Sequence, residues 1–134
     1  MTIIKFNEIL NENKLIDKID KLSIRPLTGD IGNDIYVNKL IKFDDSILKR
    51  FPFKIWKSFK FDKLINIDID KLIVTQNTVK RLQILNLIKK FDKSKLKIKV
   101  LKENNKYYVV DGTHSLITAI IMDIKKVKVN IKEV

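Results

Sequence analysis

The apolar run Tyr107-Tyr108-Val109-Val110 stops at Asp111-Gly112-Thr113-His114-Ser115, and apolar residues resume at Leu116, Ile117, Ile120 and Ile121. The run before the break reads as a strand, and the spacing after it is that of a helix with one buried side. The chain must therefore turn from strand to helix at Asp111-Gly112, which demands a sheet with a helix laid against it. Gly112 can take backbone angles closed to other residues and lets a ligand approach the main chain. The first turn of the helix presents unpaired N–H groups and a partial positive charge to an anion. Thr113 and Ser115 can cap the helix or add hydroxyl donors, and His114 can donate, accept or shuttle a proton near neutral pH. His114 is the only histidine, which excludes a multi-histidine metal site. The same residues also read as an ordinary turn, with Thr113 as N-cap and His114 solvated.

The neighbouring sequence extends this pattern. Ile65, Ile67 and Ile69 alternate with Asn66, Asp68 and Asp70 as in a half-buried strand. Leu72-Ile73-Val74 leads into Thr75-Gln76-Asn77-Thr78, where a helix is expected to start, with Val79, Leu82, Leu85 and Ile88 on its buried side. Leu96, Ile98 and Val100 alternate with lysines, and Glu103-Asn104-Asn105 reads as the turn of a hairpin whose second strand is Tyr107 to Val110. Val127, Val129 and Ile131 alternate with Lys126, Lys128 and Lys132 in a last strand, whose lysines are expected to face solvent and guard an edge.

Before residue 65 the texture differs. Phe6 to Ile19 has roughly helical apolar spacing, and an irregular stretch follows around Pro26, Gly29 and Gly32. Asp44, Asp45 and Ser46 offer N-cap chemistry for a short helix carrying Ile47, Leu48 and Phe51, limited by Pro52. Phe53, Ile55, Trp56, Phe59 and Phe61 then interleave with Lys54, Lys57 and Lys60. Such a segment can stack bases, although packing of this part onto the core is the commoner explanation, with one or two rings exposed. The expected fold is α+β: a small mixed β-sheet flanked by helices over residues 65–134, with a mostly helical N-terminal extension, residues 1–64, packed on that core.

At 134 residues and 45% hydrophobic content, one core forms without staples. Absence of cysteine excludes disulfides, zinc-thiolate sites and a cysteine nucleophile. The start of the chain lacks an apolar signal-peptide core and no stretch is long enough to span a membrane, so no membrane partner and a cytoplasmic location are expected. A formal net charge of +12 makes nucleic acid, nucleotides or an acidic protein the natural partners. Only Arg25, Arg50 and Arg81 are arginine, so the charge is mostly diffuse lysine charge.

Residues 65–134 resemble the ParB/sulfiredoxin superfamily, in particular the ParB-like nuclease domains of phages and mobile elements. The resemblance rests on Ile67-Asp68-Ile69-Asp70-Lys71-Leu72-Ile73-Val74-Thr75-Gln76, on Lys106-Tyr107-Tyr108-Val109-Val110-Asp111-Gly112-Thr113-His114, and on the order of the strands and helices around them. It implies a ParB/sulfiredoxin-like fold and a nucleotide- or DNA-binding protein, with nuclease activity in some relatives. Asp111 and His114 would be the catalytic or ligand-orienting pair. Gly112, Thr113, Ser115, Thr75, Gln76 and Arg81 would surround the phosphate. The implied cofactors are a nucleotide (ATP, ADP or CTP) and Mg2+. The family pattern is Asp-Gly-x-His-Arg, and Ser115 stands where the arginine belongs, so a bidentate phosphate contact is replaced by a hydroxyl unless Lys80 or Lys106 compensates. The sulfiredoxin reaction is excluded by the missing cysteine.

Two other functions fit the same residues: a degenerate ParB-like fold serving as a phage protein-interaction module or inhibitor of a host protein, and an ADP/ATP-dependent small-molecule kinase. Thr75 reads as a strand-to-helix cap, Gln76 as fixing the adjacent loop, and Arg81 as lying one turn into the first helix. Asp68 and Asp70, two apart on a strand, share a face that could hold Mg2+, but their alternation with isoleucines is explained without a metal, and no metal ligands are assigned.

Overall fold

The computed structural model describes Lys14, Asp17, Ile19 and residues 34–134. Among these residues the strands are β1 (Asp34–Tyr36), β2 (Lys63–Asp68), β3 (Leu72–Val74), β4 (Thr78–Lys80), β5 (Lys99–Glu103), β6 (Lys106–Asp111) and β7 (Lys126–Glu133). The helices with full bounds are α1 (Phe53–Trp56), α2 (Arg81–Lys89) and α3 (Thr113–Ile121). Five strands form a mixed sheet in the order β2-β7-β5-β6-β3, while β1 and β4 form a separate antiparallel pair. The α+β class and the mixed sheet are as expected.

Alternation dictates the sheet. Val127, Val129 and Ile131 are buried and the residues between them point the other way. With Ile67, Val100, Val109, Leu72 and Val74 they make an apolar floor. Leu116, Ile117 and Ile121 of α3 and Ile84 and Ile88 of α2 lie on it. At the tip of the β5–β6 hairpin, Asn104 and Asn105 both have positive φ (50° and 66°), as the two-residue I′ turn requires. Three residues in a 3-10 turn, Ile69–Lys71, carry the chain from β2 at one edge to β3 at the other. So short a link means that the sheet is rolled, and a cleft of about 590 Å³ lies between β2 and the start of β6, lined by Ile65, Asn66, Asp68, Asn105 and Tyr107 among others.

Part of the sequence pattern resolves differently. Residues 78–80 form β4 instead of starting the helix, because Val79 pairs with Ile35 of β1. Helix α2 therefore begins at Arg81, and its buried side carries Ile84 and Ile88 while Leu82 is 61% exposed. Asp68 ends β2 and Asp70 lies in the 3-10 turn, so the two aspartates do not share a strand face. Strand β7 is flanked by β2 and β5; its lysines guard no edge.

Residues 34–64 are not mostly helical: they hold β1, two 3-10 turns, the one-turn helix α1 and extended chain. Asp44 accepts the Ser46 N–H at 2.9 Å from one residue before the N-cap, Asp45, which makes no side-chain cap; the turn stays 3-10 and ends at Lys49, ahead of Pro52. This part is also integral to the core. Ile35, Val37 and Ile41 share the main cluster, and Phe43 bridges Val74, covering the β3 edge. Ile47, Trp56, Phe51, Phe59 and Phe61 pack on the outer sheet face against Ile73, Leu101 and Tyr108. Phe53 alone of these rings is largely exposed, at 63%. The stretches around Phe6 to Ile19 and around Pro26 to Gly32 lie outside the described residues, save that Lys14, Asp17 and Ile19 are helical and Ile19 is buried in the core.

Candidate functional site

Strands β3 and β6 are parallel neighbours, with Val74 opposite Val109, so the segments leaving their C-terminal ends emerge on one side of the sheet. These segments are Thr75-Gln76 and Asp111-Gly112, which the fold thus brings together. Open sheets offer their ligand crevices at such strand ends.

Gly112 is the N-cap of α3 and is left-handed, with φ 89° and ψ 20°. A side chain here would run into the backbone of the β5 approach: a Cβ on Gly112 meets the Lys97 carbonyl oxygen, with the Ile98 Cα at 3.0 Å. Both demands select glycine. The cap has no side-chain hydrogen bond to the helix. Thr113 does not cap; it is the first helical residue and is buried. The carboxylate of Asp111 accepts the N–H of Gly112 at 3.0 Å, holding the turn from outside the helix. Amides of the first helical turn, at Thr113, His114 and Ser115, have no carbonyl one turn earlier to bond, which is the usual basis of anion binding at such ends.

His114 is half-buried and its Nε2 accepts the backbone N–H of Lys80 at 3.2 Å. The ring therefore ties the start of α3 to the β4–α2 junction. With Nε2 as acceptor, the neutral ring carries its proton on Nδ1. Burial pushes the His114 pKa below the ordinary histidine value, in keeping with a neutral ring. The Lys80 ammonium pairs with Asp34 at 2.8 Å. Lys106 begins β6, the strand that Asp111 ends, so it lies a strand length from the turn and does not compensate there for a missing arginine.

Thr75 is buried and donates its hydroxyl to the Val109 carbonyl at 2.7 Å, strapping the end of β3 to β6; it caps no helix, since β4 follows. Gln76 bridges its own loop, donating to the Thr78 carbonyl at 2.7 Å, as expected. Arg81 is the first residue of α2, earlier than its expected place a turn inside. Ser115 lines a cavity of about 80 Å³ beside the end of α2, shared with Leu87, Lys90, Phe91 and Lys95. Arg50 is held by Glu103 in a two-pronged ion pair at 2.5 and 2.6 Å, which keeps the Glu103 carboxyl below its usual range.

Among the described residues no group of three or more histidine, aspartate or glutamate side chains could hold a metal ion. Asp68 lies 3.7 Å from the Lys126 ammonium, an ion-pair role. No Mg2+ ligands are therefore assigned among the described residues. At the far end of α3, about 13 Å along its axis, a cavity of about 490 Å³ is lined by Leu40, Lys42, Asp68, Asp70, Ile120 and Lys125. Sequence periodicity carries no signal for it, since its walls come from four separate segments.

No family model, curated protein or solved structure matches this chain. What the geometry establishes is a glycine-dependent strand-to-helix turn, braced by Asp111 and His114, with an uncapped helix end beside the Thr75-Gln76 loop. No helix among the described residues is long and apolar enough to cross a membrane.

Proposed function

We propose that this protein is a ParB-like binding protein that takes the phosphates of a nucleotide or of DNA at the β6–α3 turn. The observation that carries this reading is the left-handed Gly112 N-cap, which has no side-chain cap and lies at the C-terminal ends of two parallel strands. Phosphate oxygens would accept from the amides of Thr113 to Ser115, with Gln76 and Arg81 at the rim of the site. The net charge of +12 favours any such polyanion.

Binding is better supported than turnover. In this conformation His114 spends its unprotonated nitrogen on the Lys80 N–H, and Asp111 accepts from Gly112. Both groups thus brace the turn, and a nuclease or kinase mechanism would have to work through the second Asp111 oxygen and the His114 Nδ1–H. The same two contacts favour a second reading, a ParB-like fold kept for its shape as an interaction module toward an acidic host protein.

Titration of 15N-labelled protein with ATP, ADP, CTP and short duplex DNA separates these readings. Saturable shifts of the Thr113, His114 and Ser115 amides are expected from at least one ligand. Absence of saturable shifts there from all four would refute the phosphate site and leave the interaction module. Plasmid nicking in Mg2+ or Mn2+ that disappears in Asp111→Asn would show turnover and overturn the assignment of binding alone.

A further inference from the structure

The aromatic segment covers only part of the outer sheet face. Its contacts are to Ile73 of β3, Leu101 of β5 and Tyr108 and Val110 of β6. Among the described residues the aromatic segment reaches the β2–β7 half of that face only at its margin, where Asn130 donates its side-chain N–H to the Phe61 carbonyl at 3.1 Å. That half presents Lys126, Lys128, Asn130 and Lys132 on β7 and Leu64, Asn66 and Asp68 on β2, because the alternate residues of both strands are in the core or turned toward it. Lys99 joins from the start of β5, where it is paired with Asn130.

Charge on this face is one-sided. Across the strands Lys126 stands opposite Asp68, but Lys128 stands opposite Asn66 and Asn130 opposite Leu64. Sheet faces gain from opposite charges set across from each other and lose from like charges held close. Among the described residues the ion pair recorded for these four lysines is that of Lys126 with Asp68, at 3.7 Å, while Asp62 lies just before β2 beside the end of the row. Lys99 and Lys132 extend over the Phe61 and Phe59 rings, 5.5 and 6.0 Å from their centroids, at the boundary with the covered half. An anionic partner would add countercharge to this lysine-rich face.

Other features point to the kind of polyanion. Leu64, in the midst of these polar residues, is 59% exposed. The face also borders the cleft of about 590 Å³, where Asn66 and Lys126 meet Lys71 and Asn105; the Tyr107 ring in its wall packs against the core and lies under the Lys102 ammonium, 5.6 Å from its centroid. Apolar surface and amide groups beside a row of cations suit unstacked bases on a phosphate chain; a duplex hides the faces of its bases.

We infer that the β2–β7 face binds single-stranded nucleic acid, with phosphates along Lys99, Lys126, Lys128 and Lys132 and a base entering the cleft beside Asn66. This surface lies on the side of the sheet opposite α3 and does not depend on the Gly112 turn.

Fluorescence anisotropy of a labelled oligothymidylate of about 15 nucleotides, within the span such surfaces cover, tests it over a range of salt. Wild-type protein binds, and the quadruple variant Lys99→Gln/Lys126→Gln/Lys128→Gln/Lys132→Gln loses more than about tenfold in affinity, with a log–log salt slope shallower by about 3, at roughly 0.7 per phosphate contact. A variant with the same charge change elsewhere, Lys39→Gln/Lys49→Gln/Lys54→Gln/Lys89→Gln, binds within about twofold of wild type on the rule that screened distant charges contribute little. Asn66→Ala weakens the single strand and leaves duplex binding unchanged. Circular dichroism confirms that each variant is folded. No binding by wild type, equal losses in the two quadruple variants, or tighter binding of a duplex of equal length overturns the inference. Any of these results leaves the amide-shift test of the turn independent.

Discussion

Replacing Gly112 by alanine tests the tightest point of the fold. The backbone at Gly112 has φ 89° and ψ 20°, in the left-handed region. An L-residue with a Cβ holds that region at a cost of about 1–2 kcal/mol. The new methyl also meets the Lys97 carbonyl oxygen, the Ile98 Cα at 3.0 Å and the Lys97 carbonyl carbon at 3.2 Å, all backbone atoms. They cannot swing aside as a side chain would, because the Ile98 carbonyl accepts the Asn130 N–H at 2.8 Å and so holds this stretch to β7. Forcing a methylene-sized group into a packed site costs about 1–3 kcal/mol, so Gly112→Ala should lose about 2–5 kcal/mol.

Equilibrium urea unfolding reads this directly. With an m-value of about 1.5 kcal/mol/M for a chain of this size, a loss of about 3 kcal/mol moves the midpoint down by about 2 M. Gly112→Asn divides the two causes, since asparagine tolerates the left-handed region better but still carries a Cβ. It should recover less than half of the alanine loss. A midpoint shift under about 0.5 M for Gly112→Ala, or full recovery by asparagine, would refute the backbone clash.

The remaining predictions concern the bracing around the turn and the hairpin. His114 has a folded pKa below its unfolded value near 6.5, so the unfolded chain takes up the proton first, and His114's contribution is present above that pH and falls as pH drops below it. Wild type should lose stability relative to His114→Gln as the pH falls below about 6.5; parallel pH profiles for the two proteins would contradict the buried neutral ring. Thr75→Val removes the hydroxyl that donates to the Val109 carbonyl and should cost about 1 kcal/mol in urea unfolding, whereas no change would mean that the strap is dispensable. Asn105→Gly should raise stability by about 0.5 kcal/mol, because glycine suits the second position of an I′ turn better than asparagine; a loss of stability would show that the turn is of another type.

Much of the second half was legible because its elements each carry a simple period. The β5–β6 hairpin, the buried side of α3 and the alternation of β7 follow from local spacing, and the Gly112 turn follows from the break between two periods. The β4 strand was not legible, since Val79 has helical spacing with Leu82, Leu85 and Ile88, and only the pairing with Ile35 makes its segment extended. The partial shift of α2 has the same origin: Leu85 and Ile88 pack on the core as expected, but with the helix starting at Arg81 it is Ile84 that joins them and Leu82 that is exposed. At the candidate site, sequence marked Thr75, Gln76, Asp111, Gly112 and His114 without their partners. The Lys80 N–H, the Val109 carbonyl and the Lys97 carbonyl come from segments distant along the chain, and they are backbone groups that any residue type would supply.

By itself, the sequence determined that the chain turns from strand to helix at residue 112, because a strand period stops there and a helix period begins. Tertiary structure decided what surrounds the turn and what the rest of the sheet exposes. Whether a lysine row guards an edge or lies on an open face depends on which strands stand beside β7, and strand order is set by long-range pairing that local periodicity does not encode.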